Sequence, residues 1–153
     1  EGSDVSVTLM IEEPNWRKKR GLGARLKRAA ELAKARGGNP KGALTILLAN
    51  DRKLKKLNRA FRGKDQPTNV LSFPARRDGY LGDVAIAYGV TEKEARAQKK
   101  SFADHALHLA VHGTLHLLGY DHETARAARV MEPLETQILD ELGVDDPYAS
   151  KAA

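Results

Sequence analysis

Apolar and polar residues alternate from Val5 to Ile11 until Pro14 interrupts, a pattern that predicts a strand with one face on a core. From Trp16 to Arg36 the apolar positions Trp16, Leu22, Leu26, Ala29, Ala30 and Ala33 recur at helical spacing among many Lys and Arg, predicting one amphipathic and very basic helix. Gly37-Gly38-Asn39-Pro40 ends it, and the unbroken apolar run Ala43 to Ala49 reads as a buried central strand. Asn50 or Asp51 then caps a helix carrying Leu54, Leu57 and Phe61 on one side, with Gly63 as its stop. Two strands follow, Asn69 to Phe73 closed by Pro74, and Gly82 to Tyr88. Thr91 with Glu94 has the form of a capping box, after which helical periodicity runs to Leu118 with a break near Ser101. Asp121 fits as the cap of a last helix that reaches Leu142 and that Pro133 kinks or divides. This order, without long linker or repeat, predicts an α+β fold. We expect a single domain over residues 1–153, with a small mixed four-stranded sheet packed against helices.

Composition narrows the chemistry. A chain of 153 residues with 41% hydrophobic positions can bury a core without disulfides. It has no cysteine, so thiolate metal sites and thiol nucleophiles are excluded and any metal must take nitrogen or oxygen ligands. Lys and Arg number 26 against 20 Asp and Glu, a net charge of +6 that suits a polyanionic partner such as nucleic acid, or equally a set of solvated basic helix faces. No apolar run approaches a membrane span and the start lacks a basic segment followed by an apolar one, so the expectation is a cytoplasmic protein with no membrane partner.

All five histidines fall between His105 and His122. His105, His108, His112 and His116 share one sector of a helix. His112 and His116 are one turn apart, the spacing at which two imidazoles grip one ion. Gly119 then stands where a left-handed turn would end the helix and return His122 toward that ion. This is a zincin-like metal-site helix followed by a glycine turn, with the ligand spacing of the H-E-x-x-H-x-x-G-x-x-H motif. Three neutral imidazoles leave the fourth position of a tetrahedral zinc open, as in catalytic rather than structural sites. His105 and His108 fit packing or hydrogen-bonding roles better than ligation. Gly113 occupies the place of the general base of metallopeptidases and cannot move a proton, which disfavours peptide hydrolysis. Phosphodiester hydrolysis rests more on stabilising negative charge and suffers less from that loss.

The blocks HGTLHLLGYDH, LNRAFRGKDQPTNVLSFP (residues 57–74), GDVAIA (residues 82–87) and LGVDDPY (residues 142–148) together resemble the YbeY family of bacterial metal-dependent endoribonucleases. The resemblance implies His112, His116 and His122 as ligands of one zinc ion per chain, and Arg62 of FRGKD as the functional arginine beside the cleft. It also implies RNA as substrate, maturation of ribosomal RNA including the small-subunit 3′ end, and ribosome-associated protein partners, with no preference for DNA. Lys64, Arg76 and Arg77 flank the expected cleft in sequence, as RNA guides or as solvated loop charges. Asn69 and Ser72 fit outward strand positions or polar cleft residues, the strand reading being favoured, and Asp83 fits a turn residue or a contact of the site. The rival functions are a metallopeptidase of similar ligand spacing and a ribosome-binding factor with a structural metal.

Overall fold

The computed structural model describes residues 6–149, so Val5, the expected first strand residue, lies outside the described residues. Strands β1 (Val7–Ile11), β2 (Ala43–Ala49), β3 (Val70–Arg77) and β4 (Tyr80–Ala87) form one sheet in the order β1-β2-β4-β3. The first three neighbours in that order run parallel and β3 returns antiparallel along β4, giving the mixed sheet that the sequence predicts. Helices α1 (Leu22–Gly37), α2 (Asp51–Arg62), α3 (Tyr88–Ala97), α4 (Phe102–Leu117) and α5 (Ala125–Glu141) complete an α+β fold. No described helix is long and apolar enough to cross a membrane.

Strand alternation explains how the sheet buries both faces. Leu44, Ile46 and Leu48 of β2, with Val84 and Ile86 of β4, join the larger core formed with α1, α4 and α5. Leu47, Ala49, Ala85 and Ala87 join a smaller cluster with Leu54 of α2 and Leu71 of β3. The near-continuous apolar character of β2 follows, because a central strand with parallel neighbours is covered on both sides. The face under α2 is the thinner one, and it ends at the open edge of β3.

Several boundaries differ from expectation for local reasons. The stretch expected as one helix from Trp16 is two elements, a 3₁₀ turn over Pro14–Lys18 and then α1, separated by Gly21 in the left-handed region (φ 73°). Trp16 is buried and its indole donates to the carbonyl of Ala49 (3.0 Å), so it serves as an anchor to β2 ahead of the helix. Pro74 does not close β3. An edge strand tolerates a missing N–H, and the pairing with β4 becomes irregular only between Pro74 and Arg77. Strand β4 gives way to α3 at Tyr88, three residues before the expected cap. Thr91 is therefore inside the helix, its hydroxyl donating to the Ala87 carbonyl (2.6 Å). The break near Ser101 is real, since Ser101 caps α4 by accepting from the Asp104 amide. The last helix is capped by Thr124 and not by Asp121, whose carboxylate instead accepts from the Glu123 amide within the preceding turn. Pro133 does not divide α5. It lies on the exposed side, while Met131, Glu135, Ile138 and Leu139 are buried on the other.

Candidate metal centre and its cleft

Helix α4 carries His112 and His116 one turn apart and then stops in a Schellman turn. Leu118 ends the helix, Gly119 is left-handed (φ 102°), its amide donates to the His116 carbonyl (3.0 Å), and the Tyr120 amide donates to Leu115 (3.1 Å). The Tyr120 hydroxyl then donates to the Gly37 carbonyl at the end of α1 (3.1 Å), which fixes the returning chain. A Cβ on Gly37 would sit 2.5 Å from Leu118 Cδ1, so the α1 terminus is packed tightly on the end of α4. These constraints bring His122 back over the helix. His112 Nε2 lies 3.0 Å from His116 Nε2 and 3.2 Å from His122 Nε2.

Three bare imidazole nitrogens at such separations repel unless a cation sits between them. A tetrahedral zinc about 2.0–2.1 Å from each ligand separates nitrogens by about 3.3 Å, so the donor set fits one ion. Burial pushes His116 below its ordinary pKa, and the neighbouring imidazoles add to this, keeping it neutral and able to ligate. Together these residues are a three-histidine metal-binding group.

Behind it stands a residue that spacing arguments missed. Glu135 of α5 is fully buried and its Oε2 accepts from His112 Nδ1–H (2.7 Å), while Oε1 accepts from the Tyr148 hydroxyl (2.6 Å). Burial pushes the Glu135 carboxyl up, but the imidazoles of His108 and His112 and the Tyr148 hydroxyl outweigh it and hold the pKa at about 2. An ionised Glu135 fixes His112 with its proton on Nδ1 and its lone pair on Nε2, facing the other two histidines. Tyr148 is pushed up by burial and by the same carboxylate. The sequence did hold a signal for Glu135, a carboxylate in phase with Met131, Ile138 and Leu139 on the apolar stripe of α5.

The other two histidines serve packing. His105 is buried and bonded to Glu94 Oε1 (2.8 Å), which also accepts from Asn69 Nδ2 (2.9 Å). His108 Nε2 is 3.3 Å from Glu135 Oε2 without hydrogen-bond alignment, and its ring packs edge-on to Tyr148 at 5.7 Å. His108, His112 and Glu135 are close enough to suggest a second ion, yet Glu135 Oε2 is already engaged by His112 Nδ1–H, so this group orients and does not ligate.

Gly113 has a packing reason. A Cβ there would lie 2.6 Å from Val84 Cγ1 and 3.2 Å from both Ser72 Oγ and Val70 Cγ2. Its carbonyl accepts from the Ser72 hydroxyl (2.8 Å), so α4 approaches the sheet too closely for any side chain at that position.

The metal-binding group opens into a cleft of about 770 Å³ along the free edge of β3, lined by His112, His116, His122, Glu123, Arg62 and the chain from 68 to 74. Arg62, at the end of α2, is exposed on this wall and makes no ion pair among the described residues. Asn69 and Ser72, read as strand positions, also line the cleft, and both hydrogen-bond across to neighbouring helices. Lys64 is exposed beyond α2 and is not on the cleft wall. Arg76 belongs to β3 but its side chain lies outside the described residues. Arg77 stacks its guanidinium over the Tyr80 ring (5.0 Å), and Asp83 accepts from the Tyr80 hydroxyl, both away from the cleft lining.

Comparison with known proteins agrees with this geometry. The family model for endoribonuclease YbeY matches residues 12–143. An endoribonuclease YbeY of Rhodopseudomonas palustris is 46% identical over 94% of this chain and 80% of its own length. One of Chelativorans sp. is 43% identical over 97% of this chain and 98% of its own length. The solution structure of a Thermotoga maritima protein superposes with a TM-score of 0.63 at 25% identity, covering 94% of this chain and 99% of that one. The match spans the basic α1 as well as the metal centre, and the chain therefore belongs to the YbeY family of endoribonucleases.

Proposed function

We propose that this chain hydrolyses phosphodiester bonds of single-stranded RNA in the cytoplasm, using one zinc ion held by His112, His116 and His122. We further infer that its substrates are ribosomal RNA precursors, including the 3′ end of the small-subunit RNA, met in the company of ribosome-associated proteins. The observation that carries the reading is the convergence of three Nε2 atoms on the wall of an open cleft that Arg62 shares. When bound, the ion supplies Lewis acidity toward a phosphoryl oxygen and acidifies water.

The side chains divide the remaining work. The Arg62 guanidinium donates to non-bridging phosphate oxygens and meets the charge that grows on them in the transition state. Glu123 is the single carboxylate among the lining residues and accepts the proton of the attacking oxygen. Glu135, buried behind His112, keeps that imidazole in its ligating tautomer and is too deep to touch substrate. Lys64, Arg76 and Arg77 contribute outer positive charge toward the RNA backbone, with Arg77 the least available because of Tyr80.

A peptidase is disfavoured because the close approach at Gly113 leaves no room for a base there. A purely structural metal is disfavoured because all three ligands face a cleft wide enough for a substrate. Metal-loaded protein incubated with structured RNA and with casein separates these readings. Cleavage of RNA at its single-stranded segments with intact casein is expected, and casein cleavage with intact RNA would overturn the proposal.

A further inference from the structure

The same cleft has an aromatic wall that metal chemistry does not use. Phe61, the penultimate residue of α2, is 68% exposed, more than any other large apolar side chain among the described residues. Its ring meets Phe73 of β3 at 5.2 Å and 64°. Phe73 is half-buried against the cluster of Leu54 and Leu71, so the pair has a rigid base and a free upper ring. Both rings line the cleft that contains the three histidines. A lone exposed apolar residue is ordinary; this one is braced by a second ring, shares the wall of the metal centre, and is followed directly by Arg62.

We propose that Phe61, braced by Phe73, is a stacking platform for one unpaired nucleobase of the RNA, held across the β3 edge while its backbone passes the metal centre. This deepens the endoribonuclease reading and rests on it. A π-face next to guanidinium and ammonium groups is the chemistry by which proteins hold single-stranded RNA, the ring taking a base and the cations its phosphates. Arg62, the next residue, is exposed on the same cleft wall. The apolar area offered is a single ring face, the size of a base and far below what a protein partner needs. Stacking ignores base identity but requires the base to be unpaired, so the platform makes the enzyme select single strands without a sequence code.

The test uses metal-loaded protein with short single-stranded RNAs carrying 2-aminopurine or an abasic ribose at each position in turn. Wild type is expected to quench 2-aminopurine at one position near the cleavage site and to lose affinity when that position is abasic. Phe61→Ala should abolish the quench, raise KM about 10-fold with kcat nearly unchanged, and become indifferent to the abasic ribose. Phe61→Trp should restore both signals, whereas Phe61→Leu, apolar without a π-face, should not. Metal content and unfolding midpoint of all three variants should match wild type, since Phe61 is exposed. A wild-type enzyme that cleaves RNA while Phe61→Ala keeps the quench and the KM would overturn the platform and leave the ribonuclease reading standing. Equal behaviour of Phe61→Leu and wild type would also overturn it. A Phe61-dependent quench without any cleavage would instead overturn the ribonuclease reading and keep the platform.

Discussion

At Gly113 two effects of opposite sign compete. Replacing a mid-helix glycine by alanine normally gains about 1 kcal/mol of helix propensity. Here the new methyl would lie 2.6 Å from Val84 Cγ1, in a buried seam where overpacking costs about 1–3 kcal/mol. Sterics outweigh propensity, and Gly113→Ala should lower stability by up to about 2 kcal/mol in urea titration; increased stability would refute the close approach. Sequence alone made this glycine informative by what it lacks, but not by what it touches, because spacing carries no distance to a neighbouring sheet. Glu135 teaches the same lesson in reverse. Its place on an apolar stripe was readable, whereas its bond to His112 depends on how α5 crosses α4. Glu135→Gln keeps shape and removes the charge that fixes the His112 tautomer. Zinc affinity, measured by competition with a chelating dye, should fall about 10- to 100-fold while the fold persists.

Among the elements, α4 and its terminal turn were the most legible, since helix periodicity, ligand spacing and Gly119 all point one way. Nothing lies within 4 Å of a Cβ at Gly119, so its requirement is backbone conformation alone. Gly119→Ala should therefore cost about 1–2 kcal/mol and weaken metal binding by loosening His122, and Gly119→Asn should do less of both. The start of α3 differs from expectation because Thr91 and Glu94 match a local capping pattern, while the Thr91 hydroxyl bonds back to the Ala87 carbonyl one turn earlier and tertiary partners claim Glu94. Glu94 is bonded to His105 and Asn69, and these bonds, that of His105 foremost, hold its carboxyl below the ordinary range. A carboxylate lowered in the folded state adds stability that is full above its unfolded pKa and is lost as pH falls through the folded value. Glu94→Gln should therefore be less stable than wild type near neutral pH, with the difference shrinking as pH falls through and below the ordinary carboxylate range. Melting curves across that range check it, and a constant difference would contradict the link.

Across the whole molecule, the sheet order leaves β3 as a free edge, and that edge joins the two halves of the cleft. The α4 side brings the metal-binding histidines and the α2 side brings Arg62 and Phe61. Strand count and element order were legible, but not that β3, the first strand of its hairpin, would be the outer one while β4 returned beside β2, and so neither was the meeting of α2 with α4 across it. The net charge of +6 agrees with a polyanionic substrate, and RNA affinity should fall steeply with added salt as displaced counterions are restored. If one ion, held by three imidazoles, makes this cleft a nuclease, metal content and activity must vary together. Elemental analysis and RNA cleavage, run on the same samples of wild type and His112→Ala, test it most directly. Wild type is expected to hold one zinc per chain, with metal and cleavage lost together in a His112→Ala variant that remains folded; a folded, metal-free His112→Ala that still cut RNA at the wild-type rate would rule out the metal's role.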